Sequence, residues 1–236
     1  MKMLKLIKLE YKKNNISKYI RNAIFMSGII LIFLFAFVYL GIANDPDTGV
    51  PDAAVGATGV TVNVELITGI AYMIFATVMH SSFTISSYKN HTMNLMFSYP
   101  IKRQLIIAAQ MVAVWIFNVV AIVLTKLLVY TVILFGSKFL NPAFTIDFNL
   151  LSVDFYFILL LKSIMTISIS LIALFIGLIV KSSKAAIVAS FLLVVLMQGN
   201  IGGVTLANNV LLPVILTVIS FIFAYLSVQN IEVKDI

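Results

Sequence analysis

The sequence predicts an all-helical integral membrane protein with six transmembrane helices and an N-terminal amphipathic helix at the membrane surface. Three observations carry this expectation. Hydrophobic residues make up 61% of the 236 residues and charged residues 11%, with a mean hydropathy of +1.10, whereas soluble domains are roughly half apolar and about a quarter charged. The apolar residues gather into long runs, several reaching the ~20 residues needed to cross ~30 Å of hydrocarbon. The positive charge, +7 net, lies at the ends of those runs rather than in one patch, which is how membrane topology places it and argues against nucleic-acid binding. The chain has no cysteine, which excludes disulfides, thiol catalysis and cysteine-ligated metals.

Residues 1–21 place Lys2, Lys5, Lys8, Lys12 and Lys13 on one side of a helical wheel and Met3, Leu4, Leu6, Ile7 and Tyr11 on the other, with Leu9 the exception. Such a helix lies in the interface, its apolar face in the acyl boundary and its lysines against anionic lipid head groups. A signal peptide fits poorly, because the basic region is too long and no small-x-small site follows the apolar run.

The expected spans are residues 22–43, 62–86, 105–135, 154–180, 185–198 and 209–228, in a single transmembrane domain covering 1–236. Residues 44–61 carry Asp45, Asp47, Asp52, two prolines and no Lys or Arg, which makes them an outside loop. The third span is too long for a perpendicular crossing and should tilt. Residues 138–152 form the second outside loop, and Lys181 to Lys184 a tight inside turn. Gly199-x-x-x-Gly203, flanked by Gln198 and Asn200, reads as a turn rather than a packing motif. It breaks the fifth run, so a broken or re-entrant piece precedes the sixth span, a feature tolerated where protein or a water-filled cavity surrounds it. Of the 16 Lys and Arg residues, thirteen fall in inside segments and Lys138 alone outside, with Lys126 and Lys162 within spans. Both termini are therefore expected on the cytoplasmic side of the cell membrane.

The loop at 87–103 is the longest polar interruption between apolar runs that also carries clustered positive charge. From Tyr88 to Tyr99 it lacks Gly and Pro, and Met93, Leu95, Met96 and Phe97 fit a short amphipathic helix stopped by Pro100. Lys102 and Arg103 follow, at the phosphate level of the inner leaflet. The run Tyr-Lys-Asn-x-Thr, then Leu-Met-Phe-Ser-Tyr-Pro-Ile-Lys-Arg, resembles the cytoplasmic loop of ABC-2 type transporter permeases. Thr92, Leu95, Pro100 and Arg103 fit that family's pattern, whereas Ser87 stands where an acidic residue is common and His91 where glycine is common. The resemblance covers the whole chain in layout and about twenty residues in motif. It implies an ABC-2 (type V exporter-like) permease whose loop, through Tyr88, Thr92, Met93, Leu95, Met96, Phe97, Pro100 and Arg103, couples to an ABC ATPase subunit. It also implies a second permease, identical or related. Short loops and a Lys-, Asn- and Ile-rich composition are similar to permeases of Gram-positive peptide exporters, such as those for phenol-soluble modulins.

No Gly-x-x-x-x-Gly-Lys-Ser/Thr, His-Glu-x-x-His or Gly-x-Ser-x-Gly occurs, so the chain itself is not expected to be an enzyme. It is expected to hold no cofactor, with ATP and magnesium bound by the partner ATPase. Polar residues inside spans are the remaining functional candidates, since ionisable groups in hydrocarbon are costly and tend to face a cavity or a partner. Glu65, Tyr72 and His80 fall on one stripe of the second span, and Lys162, Thr166 and Ser170 on one stripe of the fourth. Lys162 lies about eight residues, ~12 Å, inside its span, so the two stripes are expected to share a protein-lined space. Lys126 is read as snorkelling to the head groups.

The expected function is the permease subunit of an ATP-driven exporter, moving an amphipathic or hydrophobic substrate, a peptide or antimicrobial, out of the cell. An intramembrane enzyme or assembly factor using Glu65, His80 and Lys162 is the alternative. A channel-like scaffold without energy input is a third reading.

Overall fold

The computed structural model describes residues 2–39, 59–85, 103–140, 146–198, 200–201, 204–205 and 211–233. These form seven helices: α1 (Lys2–Lys13), α2 (Ile16–Tyr39), α3 (Val60–His80), α4 (Arg103–Gly136), α5 (Val153–Ile179), α6 (Ser183–Gln198) and α7 (Leu211–Val233). A π-helical turn at Ser81–Ile85 prolongs α3. Residues 16–39, 60–85, 104–136 and 153–179 are long and apolar enough to cross a membrane, so the chain has the character of a helical membrane protein. The apolar parts of α6 and α7, Ser183–Met197 and Pro213–Gln229, are shorter. The expected loop helix at 88–98 lies outside the described residues.

The basic segment is not one helix to residue 21. It stops at Asn15, whose φ of 50° is left-handed, a conformation asparagine tolerates better than most residues. Asn14 closes α1 by donating its side-chain amide to the Glu10 carbonyl (3.0 Å) and carboxylate (3.2 Å). Residues 16–21, expected in the surface helix, therefore belong to α2. At the start of α5, the Ser152 hydroxyl accepts the Phe155 N–H at 3.4 Å, with Asp154 in the first turn, as expected for an N-terminus that favours hydroxyl caps and negative charge. Between α6 and α7, Asn200 pairs with Thr205 and Ile201 with Val204 in a short antiparallel ladder, so these four residues are extended rather than helical.

The α5–α6 turn is tight, as expected. Ser182 N–H reaches the Gly177 carbonyl (3.0 Å) and Lys181 N–H the Leu178 carbonyl (3.3 Å), the bond pair of a Schellman cap. Lys181 occupies its left-handed position with φ 54°, where glycine is favoured. Lys181→Gly should raise the unfolding free energy by about 1 kcal/mol, read as a higher midpoint in detergent.

Contacts divide the chain into two compact units. The first comprises 1–19, 72–119 and 164–236, the second 20–71 and 120–163. In the first unit, Ile85, Ile107, Met111, Leu171, Leu174 and Ala186 form one core cluster. Met79, Phe83 and Val114 form another against Tyr11 and Tyr19. Helix α1 packs here instead of presenting its whole apolar face to lipid. Ile7 is buried with Ala109 and Ala113, flanked by Met3, Leu6 and Tyr11, and the Tyr11 hydroxyl donates to the Ala113 carbonyl at 2.7 Å. Glu10, only 5% exposed, accepts from Gln110 Nε2 at 3.3 Å. The apolar residues left outward are Leu4 and Leu9, 74% and 60% exposed, on the side of Lys5, Lys8 and Lys12. Polar Glu10 and Tyr11 account for this arrangement, because α4 offers them partners that acyl chains lack.

In the second unit, α2 buries the stripe Ala23, Ile30, Leu34 and Val38 and exposes Ile24, Phe25, Ile29, Ile32 and Phe33, as a lipid-facing helix does. The Tyr39 hydroxyl donates to the Ile133 carbonyl. Tyr39 and Phe35 stack close over Gly136, where a Cβ would lie 2.9 to 3.0 Å from their rings.

Candidate functional site

Among the described residues of the second unit, a polar cluster begins at the N-terminus of α3. Asp147 Oδ1 accepts both the Thr61 N–H (2.9 Å) and the Thr61 hydroxyl (2.8 Å), so a carboxylate from a distant loop caps the helix and meets the positive end of its dipole. The approach requires Gly59, since a Cβ there would sit 2.1 Å from Asp147 Oδ2. Thr61 also shares a side-chain hydrogen bond with Tyr130, whose ring packs on Phe148 and Phe155 with centroids 4.7 and 5.0 Å away.

One helical turn beyond Thr61, on the same face, stands Glu65. Its Oε2 is 2.6 Å from Lys126 Nζ on α4, and the side chains are 17% and 0% exposed respectively. Lys126 therefore does not snorkel. Its burial forces it to keep an anionic partner, because an ammonium taken out of water without one is far costlier than the pair. Lys162 is exposed, directly after exposed Leu160 and Leu161, yet close enough for its charge to act on Lys126. Asp147, Glu65, Lys126 and Lys162 thus balance at two charges of each sign.

The expected pathway residues are divided between the two units. Glu65 and Lys162 belong to the second unit, whereas Tyr72, His80, Thr166 and Ser170 belong to the first, where all four are buried. The ammonium at 2.6 Å from Glu65 is that of Lys126 on α4, and Lys162 is close enough to act on it. Of the expected coupling residues, Tyr88, Thr92, Met93, Leu95, Met96, Phe97 and Pro100 lie outside the described residues, and Arg103 is the first residue of α4. Sequence reasoning missed Thr61, Tyr130 and Asp147. Among the described residues no group of three or more His, Cys, Asp or Glu could hold a metal ion. The arrangement is a charge-balanced, aromatic-flanked cluster among apolar helices.

Fold and cluster define a helical membrane protein with a buried ion pair between two long apolar helices. No protein-family model matches the chain, and no solved structure does. It is similar to the uncharacterized protein YcbO of Bacillus subtilis (strain 168), 25% identical over 240 residues that cover 98% of this chain and 100% of that protein.

Proposed function

We propose that the chain is the membrane permease of an ATP-driven exporter of the ABC-2 type. It works with a separate ATPase subunit and a second permease in the cell membrane, both termini cytoplasmic, and α6 and α7 serve as its fifth and sixth spans. Its substrate is amphipathic or hydrophobic, of the peptide or antimicrobial kind. The observation that carries the reading is the helix pair flanking residues 86–102. From that basic segment, α3 and α4 each run on to one member of the Glu65–Lys126 pair. A push on the segment would act along both helices toward a charge cluster that has two states available, paired or opened. Coupling of this kind needs an element whose contacts differ between states.

The test is co-expression with an ABC ATPase that a neighbouring reading frame is expected to encode. Phe97→Asp, which puts a charge into an apolar contact, should abolish co-purification with the ATPase and transport while leaving membrane yield unchanged. Normal co-purification together with normal transport would overturn the docking role of the segment. Failure of the parent chain to bind any ATPase would overturn the exporter reading itself.

A further inference from the structure

The first unit holds a second polar cluster, on α3, that the exporter reading does not use. Thr77, His80, Ser81 and Thr84 recur at i, i+3, i+4 and i+7, and all are buried. Thr77 donates its hydroxyl to the Met73 carbonyl at 2.9 Å, the usual way for a threonine in an apolar helix to satisfy its donor. His80 and Thr84 find no such outlet. Among the described residues, neither imidazole nitrogen has a hydrogen-bond partner, nor does the Thr84 hydroxyl. Helix α4 brings a third group to this turn of α3. Asn118 Nδ2 donates to the Val114 carbonyl at 2.8 Å and to the sulfur of Met79, the neighbour of His80, at 3.5 Å. Asn118 Oδ1 is buried and also lacks a partner among the described residues.

Native interiors rarely leave such atoms dry, and three side chains doing so together would forfeit a large share of a domain's stability. Their donor and acceptor inventory defines what would satisfy them. A neutral imidazole supplies one donor and one acceptor, a hydroxyl supplies both, and an amide oxygen accepts. An ion would need a counter-charge. The buried side chain of this unit that carries charge, among the described residues, is Glu10, already bonded to Gln110 and Asn14. The backbone gives an independent sign. Ser81–Ile85 is π-helical, a departure that frequently marks functional sites. Within a membrane, irregular backbone occurs where protein encloses it or where it lines a water-filled cavity.

We propose that His80, Thr84 and Asn118 Oδ1 form a buried binding site for a neutral group that both donates and accepts hydrogen bonds, occupied by water in the resting protein. The site stands or falls independently of the exporter reading.

The chain contains two histidines, so histidine-selective ¹⁵N labelling of the full-length protein gives ring-nitrogen signals from two imidazoles, two nitrogens each, and His91→Gln identifies those of His80. Cross-relaxation between the His80 ring N–H and water should be observed in detergent micelles, and it should weaken in Thr84→Val. A His80 signal with no water cross-peak would overturn the proposal. Thermal unfolding gives a second, opposite-signed reading. Thr84→Val is nearly isosteric, so it should lower the midpoint if the hydroxyl holds water. An equal or higher midpoint would mean that a dry, unpaired hydroxyl had been relieved, and the site would not exist.

Discussion

Lys126→Met is expected to destabilise the folded chain by about 3–5 kcal/mol, the loss seen when one member of a buried ion pair is removed. Methionine nearly matches the lysine stem, so the effect comes from charge rather than volume. Glu65 would keep its carboxylate, only 17% exposed, with the Asp147 carboxylate one turn away at Thr61 and its 2.6 Å counter-ion gone. The matched double change Glu65→Gln with Lys126→Met should recover most of the loss, because two neutral side chains need no mutual compensation. Unfolding midpoints in detergent for the parent, both singles and the double give the coupling between the two positions. A double variant no more stable than Lys126→Met alone would show that the pair is not what holds these helices. If transport is lost in a double variant that folds normally, the pair acts in the transport cycle and not only in assembly.

Gly177→Leu should cost about 3 kcal/mol or more, the upper end of overpacking effects. A Cβ at position 177 would lie 2.5 Å from Ile85 Cδ1 and 2.6 Å from Ala186 Cβ. The Ile85 methyl can rotate aside, but the Ala186 Cβ is fixed to the α6 backbone, so α5 and α6 would have to separate. Close backbone approach through small residues is how membrane helices gain packing contacts without a hydrophobic drive between them. Gly177→Ala should be milder, and Ala186→Gly in the same chain should return part of the loss. Yield of monodisperse protein and the unfolding midpoint both read this out. Equal stability of Gly177→Leu would mean that the α5–α6 contact is not tight.

The helices were legible in the sequence because apolar runs and charge punctuation fix them directly: α4 and α5 begin and end within two residues of the expected spans. The partner of Glu65 was also within reach. Ile85 and Ile107 share a core cluster at the loop end of α3 and α4, and Glu65 lies 20 residues from the first while Lys126 lies 19 from the second. Antiparallel helices joined by a loop bring such positions level. Treating Lys126 as a solitary snorkelling lysine concealed this. Asp147 and Gly59 were less accessible, since a loop carboxylate capping a helix 86 residues away in sequence leaves no periodic trace. The docking of α1 was hidden for a related reason. A wheel sorts apolar from charged residues, but Glu10 falls on the buried side because Gln110 and Asn14 satisfy it, and no single helix contains that information.

Helix α1 is fastened to the first three turns of α4 by the Glu10–Gln110 and Tyr11–Ala113 bonds and by Ile7 between Ala109 and Ala113. The amino terminus is thereby geared to the helix that leaves the basic 86–102 segment. Any displacement of the start of α4 drags the terminus with it, amplified by the ~18 Å length of α1. A fluorophore placed at the first residue would serve as the pointer of a gauge for that displacement, readable without labelling the segment itself.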